Sequence, residues 1–156
     1  MRVITMPDID DLILQAKKME RKRTIFRLHQ HEETVQRMIN AIVPGSYVTP
    51  HKHENPDKVE LFNILKGRVA VLHFNDRGDI EAMHLLEDRG LKRVVEIPPR
   101  IYHTIIALEP SALFEIIQGP YNANTHKQFA PWAPLEDTPR ARDYLMYLEA
   151  IVHNWK

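Results

Sequence analysis

The sequence predicts a single, mainly β domain with a helix at each end, and three observations carry that prediction. Between Thr24 and Pro120 the chain is cut into short pieces rich in Val, Ile, Leu, Phe and Tyr, among them VQRMINAIV, VELFNILK, RVAVLHFN, KRVVEI and ALFEIIQ. Pieces of that length, with β-branched residues and close turn signals, read as strands of a sandwich or small barrel. All five glycines stand at turn-like steps, Pro44-Gly45, Lys66-Gly67, Arg77-Gly78, Arg89-Gly90 and Gly119-Pro120, so they bound the apolar pieces without interrupting them. Helical spacing of apolar residues is confined to the two ends. At 156 residues the chain suits one domain with a sizeable core and no need of disulfide staples.

The elements follow in order. Asp8, with Pro7 before it, can cap a first helix over about 8–22, whose Ile9, Leu12, Ile13, Ala16 and Met19 share a side. The basic cluster Lys17 to Arg23 reads as a solvated helix end, favourable to the helix dipole. The β region spans about 24–121, with Asn75-Asp76-Arg77-Gly78 as a hairpin turn. A proline-rich segment and a C-terminal helix fill 122–156. That helix starts at Thr138-Pro139 and carries a stripe of Leu145, Leu148, Ala150, Ile151 and Trp155. The stripe is expected to pack on the body of the domain, a dimer contact being the alternative. There is no internal repeat and no linker, so 1–156 reads as one domain.

Composition removes several function classes. Twenty-one basic and 21 acidic side chains give a formal charge of zero, which argues against nucleic acid as a partner. The absence of cysteine excludes disulfide frameworks, Cys-type zinc fingers, iron–sulfur clusters and thiol nucleophiles. MRVITMPDIDDLILQ has no basic start leading into an apolar stretch, so no signal peptide is expected. No apolar run approaches the ~20 residues that span a bilayer. A cytoplasmic protein with a small-molecule ligand is the expectation. Gly-x-Ser-x-Gly, phosphate-binding and dinucleotide-binding glycine loops are all missing. Histidine and carboxylates remain as carriers of chemistry.

Those residues have a pattern. Gly45, five residues, His51-x-His53, six residues, Glu60, six residues and Gly67 follow one another in PGSYVTPHKHENPDKVELFNILKG. Strand alternation puts His51 and His53 on one face, and the turn at Asn55-Pro56-Asp57 lets the next strand return Glu60 beside them. His103, in VVEIPPRIYHTIIAL, is a fourth candidate on a later strand. Three imidazoles and a carboxylate suit a divalent first-row metal, Fe, Zn, Mn or Ni without discrimination, and leave open positions for water or substrate. The competing reading is a pair of exposed histidines beside an acidic loop.

This spacing resembles the cupin superfamily. Gly45, His51, His53, Glu60 and Gly67 match its first motif, except that the His-to-Glu gap is six residues. Pro98, Arg100 and His103 keep the spacing of its second motif, with Arg100 in place of glycine and Ala107 in place of asparagine. The longer gap leaves Asp57 where a shorter spacing would put the carboxylate ligand. Glu60 is preferred because its distance to Gly67 is kept and Asp57 belongs to the turn. Further runs, QRMINAIVPGSYVTPHKH, KVELFNILKGRVAVLHFNDRG, VEIPPRIYHTIIAL and GPYNANTHKQFAPWAPLE, resemble the WbuC-like cupin metalloproteins over about Arg27 to Glu136. The resemblance implies a double-stranded β-helix (jelly-roll) barrel and one bound metal, with a link to O-antigen or other surface polysaccharide synthesis. It implies no particular reaction, because cupins host isomerases, epimerases, dioxygenases and non-enzymes. A homodimer is also expected from the superfamily.

Two further residues are candidate substrate contacts. Arg37 lies in an otherwise apolar strand and would, facing inward, offer a bidentate contact to a carboxylate or phosphate; facing outward it would be solvated or paired with a glutamate. Tyr47 has the alternation phase of His51 and His53, so it either lines the mouth or sits in the core. Arg27 and His29 read as an exposed edge strand, and His31, His73, His84, His126 and His153 as ordinary. Tyr121 and Trp132 either cover the pocket or, as preferred, seal one barrel end. The leading expectation is a metal-dependent enzyme acting on a small polar metabolite such as a sugar derivative. An iron-dependent dioxygenase, a non-catalytic metal-dependent binding or sensing module, and a barrel whose metal only ties strands together are the alternatives. No general base is evident outside the ligand set.

Overall fold

The computed structural model describes residues 1–155. Helix α1 spans Met6–Lys18, not 8–22. Its cap is Thr5 rather than Asp8: the Thr5 hydroxyl accepts from the Asp8 N–H while Asp8 Oδ2 accepts from the Thr5 N–H at 2.7 Å. Asp8 is thus the third helical residue of a capping box. Extended backbone at Met19 ends the helix early and sends the basic cluster toward the first strand.

Strands β1 (Arg23–Arg27), β2 (Val35–Ile42), β3 (His51–Lys52), β4 (Glu60–Lys66), β5 (Arg68–Phe74), β6 (Ile80–Glu87), β7 (Val94–Ile97), β8 (Tyr102–Ala107), β9 (Ser111–Gln118) and β10 (Gln128–Phe129) then form two antiparallel five-stranded sheets. Their orders are β1-β2-β9-β4-β7 and β10-β3-β8-β5-β6. The expected hairpin is there, with Asn75 Oδ1 accepting from the N–H groups of Arg77 and Asp79 between β5 and β6. The β region extends past its expected end near 121, because β10 adds an edge beside β3. Helix α2, Arg140–Asn154, closes the chain with Pro139 at its start.

Each sheet is covered on both faces, which is why so many strands lack polar alternation. Ile9, Leu12, Ile13 and Ala16 of α1 pack on Ile39, Ala41, Val43 and Ala112, outside the first sheet. Ala141, Leu145, Leu148 and Val152 of α2 cover Ala70, Leu72, Phe74 and Ile106 of the second. The α2 stripe therefore differs from the expected one: Ala150 and Trp155 are exposed, while Ala141 and Val152 are buried. Between the sheets, Ile42, Phe62, Ile64, Val69, Val71, Leu86, Ile97, Ile105 and Leu113 fill one end of the barrel with apolar side chains. The other end is polar.

Candidate metal centre

β3, β4 and β8 bring His51, His53, Glu60 and His103 to one point, and all four are buried. One nitrogen or oxygen from each lies within 4.8 Å of every other. His51 and His103 face each other in register across β3 and β8. The three imidazoles are held alike. The Nδ1 atoms of His51 and His103 donate to the carbonyls of Thr49 and Ile101, each at 2.9 Å. His53 Nδ1 donates to the His126 carbonyl at 2.6 Å. A carbonyl only accepts, so Nδ1 must carry the proton and Nε2 presents a lone pair to the centre.

The centre thus gathers acceptors with no donor between them. Glu60 Oε2 lies 2.8 Å from His103 Nε2 and 3.3 Å from His53 Nε2. The Nε2 atoms of His51 and His103 make no hydrogen bond. Burial first, then the charge of Lys127 and the neighbouring His103, holds His51 well below the usual imidazole range, so it is neutral. Burial raises Glu60, and only a proton on His103 or His53 would bring its carboxyl well below the usual range; with both Nε2 atoms proton-free, that stabilisation is left to a cation. A carboxylate facing buried lone pairs is costly unless a cation lies among them. The donor set, three imidazole nitrogens and one carboxylate with fixed tautomers, fits a divalent metal.

Asp57 stands apart. It is in the turn, with Arg100 Nε donating to both of its oxygens at 3.0 Å. Arg100 itself has φ 67, left-handed backbone that glycine adopts most readily, and its N–H donates to the His53 carbonyl at 3.0 Å.

Neither expected substrate contact reaches the cluster. Arg37 has the phase of Ile39 and Ala41, which face α1, and its guanidinium pairs with Glu33 outside the barrel. Gln36, Met38, Asn40 and Ile42 take the inward phase and line the cavity. Both faces of β2 are covered, so sequence alternation alone could not say which phase pointed inward. Tyr47 donates from its hydroxyl to the Pro134 carbonyl at 2.7 Å and meets Tyr144 edge-on in the core beneath α2. Residues 46–50 are not a strand, so the phase of His51 does not extend back to Tyr47.

The cluster opens onto a cavity of about 300 Å³, with residues that sequence reasoning passed over on its walls. Glu115, on β9, is buried and accepts from Asn40 Nδ2. Burial, then the charge of Glu60, pushes its carboxyl up to about 8. Tyr121 lies between His31 and His126, with ring centroids 4.7 and 4.8 Å away, and borders the cavity without sealing the barrel. Trp132 does pack into the core, 5.0 Å from Phe74. Burial and Lys127 lower His126 to about 3. Arg21, Arg23, Ile25, Arg27, His29 and His31 also line the cavity, although only Arg23, Ile25 and Arg27 belong to β1.

Residues 4–86 match a sequence family described as a domain of unknown function, DUF6016. The chain belongs to the DUF6016 family. No curated protein matches it. Three solved structures show what this DUF6016 chain resembles in fold. CapF bound to the inhibitor 3-isopropenyl-tropolone has a TM-score of 0.57 at 20% identity, over 72% of this chain and 32% of CapF. A cupin superfamily protein of Desulfitobacterium hafniense DCB-2 has a TM-score of 0.52 at 17% identity, over 69% of this chain and 86% of that one. A recombinant oxalate oxidase in complex with glycolate has a TM-score of 0.53 at 14% identity, over 74% and 58%. The DUF6016 chain spans about a third of the length of CapF. The fold is the cupin jelly roll, and the buried His/Glu cluster within it suggests a divalent metal site. Among the described residues no helix is long and apolar enough to cross a membrane.

Proposed function

We propose that this chain is a metal-dependent cupin enzyme acting on a small polar metabolite, with His51, His53, Glu60 and His103 as the ligands. The observation that carries the reading is the meeting of three proton-free Nε2 atoms and one carboxylate at the floor of a cavity. A divalent ion held there supplies Lewis-acid polarisation of a substrate oxygen. The chain's own residues do the rest. The main-chain carbonyls of Thr49, Ile101 and His126 orient the rings, and Met38 and Phe62 give the wall an apolar part. Glu115, buried on the cavity wall beside the cluster, is the residue we assign as general acid–base group.

A sugar derivative is the substrate class we favour, with a role in surface polysaccharide synthesis. Two things support it: the WbuC-like sequence runs, and the fold shared with the Staphylococcus aureus CapF, a capsular polysaccharide assembling protein. A cytoplasmic homodimer accompanies this reading. The test is elemental analysis of the purified protein beside His51→Ala/His53→Ala, then turnover assays with candidate sugars and an oxygen electrode. Stoichiometric metal lost in the variant supports the site; metal in neither protein refutes it. Oxygen uptake would transfer the same ligands to dioxygenase chemistry.

A further inference from the structure

The cavity has a second feature that the metal reading does not use: one wall is basic. Chain positions 21 to 31 give it Arg21, Arg23 and Arg27 with His29 and His31, and the segment before β10 adds Lys127 beside the neutral His126. Not all of these charges are available. Arg21 and Arg23 share Glu136, at 2.5 and 2.6 Å, and Arg23 also donates to the Tyr47 carbonyl at 2.9 Å. Arg27 and Lys127 make no ion pair among the described residues. Two carboxyl groups line the same space, and neither offsets them: Glu60 is in the histidine cluster, and Glu115 is bonded to Asn40.

We propose that Arg27 and Lys127 bind an anionic group of the substrate, a carboxylate or phosphate on a sugar-sized molecule whose other end reaches the His51/His53/Glu60/His103 centre. This rests on the metal-dependent reading for the far end of the substrate, while the basic wall stands on its own residues. Two cations without partners on a concave surface raise the local concentration of small anions and fix their orientation through charge-assisted hydrogen bonds. The dimensions agree, since about 300 Å³ admits a monosaccharide-sized ligand and not a polymer.

Calorimetric titration of the full chain with inorganic phosphate, D-glucuronate and neutral D-glucose tests this. Glucuronate or phosphate is expected to bind, with glucose at least about tenfold weaker than glucuronate. Arg27→Gln and Lys127→Gln should each weaken the anion about tenfold, the loss of one charge-assisted hydrogen bond. Both variants should keep wild-type metal content and melting temperature. Binding of neither anion at about 10 mM, glucose equal to glucuronate, or variants that bind as wild type would each overturn the proposal. Metal-free protein, titrated in parallel, separates the two readings. Absence of metal from the purified chain sinks the metal centre, and the anion titration still decides the basic wall.

Discussion

Gly45 and Gly67 have the same backbone conformation for different reasons, and alanine at each should separate them. Both lie in the left-handed region, at φ 86 and 83. A side chain there costs about 1–2 kcal/mol from backbone sterics alone. At Gly45 an added Cβ would meet nothing within 4 Å, so Gly45→Ala should cost that amount and no more. At Gly67 it would stand 2.6 Å from the Pro110 carbonyl oxygen and closer still to Ser111 Oγ. Ser111 is fully buried, accepts the Arg68 N–H at 2.9 Å and donates to the Glu109 carbonyl at 2.7 Å. Displacing it strands a buried backbone donor, a further ~1–3 kcal/mol. Gly67→Ala should therefore lose about 2–5 kcal/mol. With an unfolding entropy of about 2.1 cal/mol/K per residue over 156 residues, each kcal/mol is about 3 °C. The expected falls in melting temperature are then about 6–15 °C for Gly67→Ala and about 3–6 °C for Gly45→Ala. Stiffening of the unfolded chain by alanine is common to both and cancels in the difference. Urea denaturation of the two variants checks the free energies. Equal losses would refute the packing argument, and a neutral Gly45→Ala would refute the backbone one.

Other outcomes follow from the same structure. Asp57→Asn should leave metal stoichiometry at the wild-type level because Asp57 faces Arg100, whereas Glu60→Gln should lower metal affinity more than about tenfold; elemental analysis after dialysis distinguishes them. Addition of a bound divalent metal at about a hundred times its Kd should stabilise the chain by about 2.7 kcal/mol, read as a rise of roughly 8 °C, and His51→Ala should abolish the rise. Glu136 gives an acid dependence. Burial alone would raise its carboxyl, but hydrogen bonds from Arg21 and Arg23 bring it down to about 2 from an ordinary 4.5. A depressed carboxylate contributes stability that is full above pH 4.5 and is lost as pH falls toward 2. Solvent screening at this partly exposed site reduces the contribution to about 1 kcal/mol. Glu136→Gln should accordingly be less stable at pH 7 and converge with wild type near pH 2, as followed by thermal melts across pH.

Local pattern and motif spacing were enough to read the two helices, the β body and the four clustered side chains. What spacing could not supply was phase. β2 is covered by α1 on one side and lines the cavity on the other, so its apolar residues mark no preferred face and Arg37 was as plausible inward as outward. Tyr47 failed for a related reason, since alternation was extended across residues that are not a strand. Glu115 carries no local signal at all, because ALFEIIQ reads as a strand with one polar residue, and only pairing with Met38 and Phe62 takes it into the barrel. Arg23, Ile25 and Arg27 do carry a signal as alternate residues of β1, but Arg21, His29 and His31 reach the cavity from turns and bends, where alternation gives no guide.

The hold on the three imidazoles has a genetic consequence. Thr49, Ile101 and His126 act through main-chain oxygens, and no codon change removes a carbonyl. Proton placement on the rings is therefore inherited with the course of the chain, insensitive to which side chains occupy those three positions. Its vulnerability is to deletion. The His126 oxygen belongs to the stretch that leads into β10, the edge strand paired with β3, so shortening the protein before that point would release His53 while leaving every ligand codon intact.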